Sequence, residues 1–181
     1  MRNCRKPGKL PSIHGRDAMI FRFSAKLGKK LNSVPTRTLP VHEIAYADWS
    51  AHLFIANRTQ YILVTNTISL YSTVMYGRGM TDDGKFFSRA IEYLGEVMGD
   101  DGYQFIRERL FIPEASTISI AKALNRTVIG SMNELVLYAQ RILSAEEISP
   151  YDLSFKLNDI LMSYIDYDRP REAFGKMKPH Q

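Results

Sequence analysis

Three apolar runs follow one another between Trp49 and Tyr76, and they carry apolar side chains on both faces. His52-Leu-Phe-Ile-Ala56 and Tyr61-Ile-Leu-Val-Thr65 flank Asn-Arg-Thr-Gln, a hairpin loop of usable length. Asn66-Thr67 breaks the chain before a third run, Ser69 to Tyr76. A strand that is apolar on both faces must be covered above and below, which calls for helices on both sides of the sheet, or a helix layer and a partner. The expected fold is therefore α+β: a single domain with an antiparallel sheet, a meander at about 50–76 plus further strands, packed with about four helices.

The remaining elements follow from periodicity. Ile20, Phe21 and Phe23 read as a first strand. Ser24 caps a short helix over Ala25 to Leu31, with Leu27 and Leu31 inward and three lysines outward. Lys85 to Met98 places Phe87, Ile91, Leu94 and Met98 on one helical stripe, closed by Gly99-Asp-Asp-Gly102. Tyr103 to Leu110 reads as a short helix stopped by Pro113, and Ile118 and Ile120 alternate as a strand. Ser149-Pro-Tyr-Asp152 opens a last helix to about Ile165, burying Leu153 and Leu157.

The sharpest local signal is Asn125 to Ala139. Ser131 precedes Glu134 by three residues and an apolar run by four, the spacing of a capping box. On this reading Asn125-Arg126 is a turn, Thr127-Val-Ile129 is extended, and Gly130 is a strand-to-helix junction. N-R-T-V-I-G-S-M-N-E resembles the N-R-S-V-L-G-S-M-N-D signature of an uncharacterised bacterial domain family met in plasmids, integron cassettes and other mobile DNA. Leu157-Asn-Asp-Ile-Leu-Met-Ser163 is similar to a second family pattern, L-N-E-x-P-M-S, with Leu161 in place of Pro. The resemblance implies a compact α+β domain and brings no catalytic residues with it.

Charge is segregated along the chain. The net +5 combines +4 over residues 1–18, +3 over 19–48, −5 over 49–168 and +3 over 169–181. Residues 1–18, rich in Pro, Gly and charge without apolar period, read as a disordered basic arm. Residues 19–168 form the domain, and 169–181 read as a basic tail. A single cysteine, Cys4, allows no internal disulfide, and no apolar run reaches the length of a membrane helix. A cytoplasmic protein is expected.

Candidate chemistry is sparse. A helix start at Ser131 would form an anion site from Arg126, Gly130, Ser131 and Asn133, and these are the expected ligand-binding residues. Gly79 to Lys85 matches G-x-x-x-x-G-K, but Phe86 replaces the Mg²⁺-binding hydroxyl and Asp82 and Asp83 stand where phosphate must sit. The four histidines show no ligand spacing, so no metal and no cofactor are expected. His52, inside a strand, reads as a partly buried structural residue. Ser131 lacks a nucleophile elbow, and no catalytic residue is named. The first expectation is a non-enzymatic binding or interaction module, a homo-oligomer or a binder of a protein partner. The alternatives are an enzyme or binder acting on a small anion at Gly130–Asn133, and nucleic-acid binding through the basic ends.

Overall fold

The computed structural model describes residues 18–179, so the arm expected over residues 1–18 lies almost wholly outside the described residues. Five strands form one sheet: β1 (Met19–Phe23), β2 (Asp48–Ala56), β3 (Thr59–Asn66), β4 (Ser72–Tyr76) and β5 (Ile118–Lys122), in the order β4-β3-β2-β1-β5. β2, β3 and β4 are the antiparallel meander read from the sequence. The expectation of an antiparallel sheet is nevertheless corrected. β1 runs parallel to both neighbours, with Phe21 opposite Trp49 on one side and Ile120 on the other. The reason is the connection: a parallel neighbour requires a long crossover, and residues 24–47 supply it between β1 and β2. β1 is buried at all five positions, as a parallel strand covered on both faces must be.

Among the described residues six α-helices surround the sheet, where about four were expected: α1 (Ala25–Lys30), α2 (Asp83–Asp100), α3 (Gln104–Ile106), α4 (Arg126–Ala145), α5 (Pro150–Asn158) and α6 (Pro170–Lys176). α3 continues through a wider π segment, Arg107–Phe111, into a 3₁₀ segment, Ile112–Ser116. Pro113 sits at the start of that last segment rather than stopping a helix. The sheet is covered on both faces, as the two-faced strands demand. One core joins Phe21, Phe23, Trp49, Ile62 and Val64 to Leu27 of α1 and to Phe86, Ala90 and Leu94 of α2. The other joins Phe54, Leu63 and Val74 to Leu135 and Ala139 of α4 and Leu153 and Leu157 of α5.

The β2–β3 hairpin turns in two residues, Asn57 and Arg58, both with positive φ (46° and 62°). That is the turn whose twist matches paired strands, and Asn tolerates it best. The outer edge of β4 is closed by side chains of α5. The Ser72 N–H donates to Asn158 Oδ1 at 2.7 Å, and Asn158 Nδ2 donates to the Ser72 carbonyl at 3.0 Å. The Val74 N–H donates to Ser154 Oγ at 2.9 Å. The carboxamide of Asn158 thus pairs with the strand as another strand would, and the edge has no free donors at these positions for a foreign chain.

The reading of residues 169–181 as a tail is also corrected. α6 buries Phe174 completely, stacked 4.3 Å from Tyr71 and edge-on to Tyr46 at 5.1 Å. Tyr46 Oη donates to the Met177 carbonyl at 2.7 Å, and Tyr103 Oη to that of Arg171 at 2.8 Å. One aromatic side chain in a basic, Pro-flanked segment is enough to anchor it, because an aromatic ring buries a large area.

Candidate functional site

The capping box is the principal local correction. α4 begins five residues before Ser131, with Asn125 as its N-cap: the Val128 N–H donates to Asn125 Oδ1 at 2.9 Å. Ser131 lies inside the helix and donates to the Thr127 carbonyl at 3.1 Å. The apolar stripe explains why. Val128, Met132, Leu135, Val136, Ala139 and Leu143 keep helical spacing and are all buried, so packing carries the helix back through Thr127-Val-Ile129 despite their β preference. Gly130 is tolerated on the exposed side. Arg126, Gly130 and Asn133 are exposed and Ser131 is buried beneath them; the four do not converge on a helix start.

The first turn of α4 does border a cavity, with its apolar residues rather than its polar ones. About 390 Å³ of space lies between α4, α1, the Val34-Pro35 loop and the sheet. Phe23, Val34, Pro35, Val128, Ile129 and Met132 give it mostly apolar walls. Its position follows from topology: β1 and β5 end here, at Phe23 and Lys122, while β2 runs on past them. The carboxyl ends of parallel strands leave a crevice from which helices depart. α1 departs from Ser24, whose hydroxyl accepts from the Leu27 N–H, and α4 from Asn125.

Two basic groups stand at the cavity. His52, on β2, is half-buried, and no described residue hydrogen-bonds its imidazole. Burial, and secondarily the charge of Lys26, hold its pKa below the ordinary histidine value. It is therefore neutral at pH 7, with one nitrogen to donate and one to accept. Lys122, at the end of β5, is exposed and adds a positive charge at the border.

Arg22 also touches this space but is committed to the fold. Its Nε and Nη2 donate to the two Asp48 carboxylate oxygens, each at 2.7 Å, and both side chains are fully buried. Nη1 donates to the Leu39 carbonyl and Nη2 also to that of Pro40, while the His42 N–H donates to Asp48 Oδ2. The pair fastens the 39–42 loop over β1 and β2. A buried charge of this kind is tolerated only because nearly every donor and lone pair is used.

The G-x-x-x-x-G-K loop joins β4 to α2. Asp82 caps α2, accepting the Lys85 N–H on Oδ1 at 2.9 Å, so a carboxylate already occupies the place a phosphate would take. No group of three or more His, Cys, Asp or Glu side chains that could hold a metal occurs among the described residues, and no helix there is long and apolar enough to cross a membrane.

His52 and Lys122 were not read as site residues from the sequence. Their signal is topological, since it depends on β1 and β5 being parallel neighbours that stop short of β2. Residues 20–173 match the family model described as Domain of unknown function (DUF6933), and the chain belongs to that family. No curated protein and no solved structure matches.

Proposed function

We propose that this member of the family is a non-enzymatic binding module that takes a small, largely apolar molecule with one acidic or hydrogen-bonding end into the cavity beside α4. The observation that carries the reading is the cavity itself: apolar walls around about 390 Å³, with an imidazole that no residue among the described ones hydrogen-bonds. That volume and that ratio of apolar wall to few polar groups are typical of small-molecule sites. The apolar body of the ligand packs on Val128, Ile129 and Met132. Its polar end reaches His52 and the Lys122 ammonium.

Binding is favoured over catalysis because a working base needs an orienting partner and a nucleophile within reach. His52 is hydrogen-bonded to no Asp, Glu, Ser or Cys among the described residues. This site replaces the anion site expected at Gly130–Asn133, whose premise was a helix start at Ser131. By the resemblance of its Asn125–Glu134 motif, the module would serve mobile DNA from the cytoplasm.

The test is a thermal-shift screen of small aromatic and branched aliphatic carboxylates against the protein and against Ile129→Trp. Ile129 is 41% exposed at the cavity border, so the larger ring blocks the space without disturbing the core. Stabilisation of the parent that disappears in the variant supports the reading; no stabilisation by any compound, or equal stabilisation of both proteins, defeats it.

A further inference from the structure

The two outer edges of the sheet are treated differently. α5 closes the β4 edge through Asn158 and Ser154. β5 forms the other edge and pairs with β1 alone. The Thr117 carbonyl accepts from the Met19 N–H at 2.9 Å, so the backbone groups of Thr117, Ser119 and Ala121 face β1, and those of Ile118, Ile120 and Lys122 face outward. The Lys122 N–H donates to the Arg37 carbonyl at 2.9 Å. At Ile118 and Ile120, no described residue hydrogen-bonds the outward N–H or carbonyl. An edge left open in this way is a template for another strand.

The limits of the open stretch select its occupant. Arg37 bounds it beyond Lys122, and the 3₁₀ segment Ile112–Ser116 bounds it before Thr117. These two segments leave the strand on opposite faces. Ala115, Ile118 and Ile120 pack against the core on the α2 side, with Phe21 and Phe23. Arg22, between those two phenylalanines, points to the other face, where the Leu39 and Pro40 carbonyls accept its guanidinium donors. A second β5 related by a two-fold axis at Ser119 brings its 3₁₀ segment to the Arg37 end of the edge, on the face that the loop after Arg37 leaves free. Ile118 then stands opposite the partner's Ile120, and Ile120 opposite the partner's Ile118. Both are hydrogen-bonded antiparallel pairs, so every outward N–H and carbonyl of the open stretch finds a partner. The half-buried isoleucines also meet across the junction on one face.

Charge fits the same arrangement. Exposed Lys122 ends the strand and Glu114 lies just before it, and neither forms an ion pair among the described residues. Antiparallel self-pairing sets each Lys122 toward the partner's Glu114. Because the β4 edge is closed, pairing through β5 stops at two chains and gives a closed dimer rather than a fibre. We infer that the open edge of β5 is the interface of a homodimer, in which β5 pairs antiparallel with β5 of a second copy and one sheet runs through both chains.

The experiment is sedimentation velocity of the full chain across a dilution series, with amide hydrogen exchange followed at the same concentrations. The expected sedimentation coefficient rises with concentration from that of a monomer to that of a dimer and no further, and exchange at the Ile118 and Ile120 amides slows in step. Ile120→Pro removes an outward N–H that no described residue uses, and weakens association by about tenfold or more. Glu114→Lys and Lys122→Glu each weaken it several-fold, because each sets like charges together. The two substitutions combined restore association to within about twofold of the parent, a rescue that mere loss of stability would not give. A monomer at every concentration, assembly that continues beyond two chains, or a charge exchange that fails to restore association would overturn the assignment. So would protection of Ile118 and Ile120 that is independent of concentration and lost on deletion of residues 1–17, which would give the edge to that segment instead.

Discussion

At the residue scale, two positions separate what was legible from what was not. Ser131 looked like a cap because Ser-x-x-Glu is a real capping pattern, yet the apolar stripe reaches back to Val128 and leaves Asn125 as the residue before the first turn. Both signals were in the sequence; the stripe wins because it is backed by burial of six apolar side chains, whereas a cap contributes about 1 kcal/mol. Asn125→Ala should therefore destabilise by about 1 kcal/mol, and Ser131→Ala by less than about 0.5 kcal/mol, since alanine's helix propensity offsets one lost hydroxyl bond. Urea unfolding of both variants checks the order, and a larger loss for Ser131→Ala would restore the cap at Ser131. His52 gives a pH signature. Its folded pKa lies below the 6.5 of the free side chain, so the unfolded chain takes up its proton first as pH falls. Stability conferred by keeping His52 neutral is then lost as pH drops from about 6.5 through the folded pKa. His52→Gln should flatten the unfolding free energy against pH between about 7 and 5, and an unchanged profile would contradict a half-buried neutral imidazole.

At the scale of elements, the meander, its hairpin and the two-sided burial followed directly from apolar runs broken at Asn57 and Asn66. The parallel placement of β1 and β5 did not, because each strand is too short to declare its neighbours. That depends on which elements cover it after folding. Nor did a pattern of polar residues reveal how the β4 edge is closed. Asn158 belongs to a motif visible in the sequence, but its role requires Ser72, 86 residues away. Asn158→Ala leaves a buried N–H and a buried carbonyl of Ser72 without partners, and should destabilise by about 2–4 kcal/mol. Chemical denaturation measures it, and a loss under about 1 kcal/mol would mean that water replaces the carboxamide. α6 was missed because a seven-residue helix with one large apolar side chain has too little pattern to detect. Phe174→Ala should destabilise by about 3–5 kcal/mol, the range for a fully buried aromatic ring; a solvated tail would show no change on thermal melting.

At the scale of the whole molecule, one mixed sheet divides two cores, and its parallel side ends in a crevice that the packing of α1 and α4 does not fill. The buried Arg22–Asp48 pair and the strapped 39–42 loop hold the strands beside that crevice in fixed positions. A rigid frame around an apolar space, with the His52 imidazole hydrogen-bonded to none of the described residues, is the arrangement on which the binding reading rests. It is tested most directly by NMR: ¹H–¹⁵N and imidazole ¹H–¹³C spectra of the protein titrated with the most stabilising carboxylate from the thermal-shift screen, beside Ile129→Trp. Shifts that cluster at His52, Lys122 and residues 128–132, saturate, and vanish in the variant are the predicted result. Shifts that spread over other surfaces, or that persist unchanged in Ile129→Trp, would contradict it.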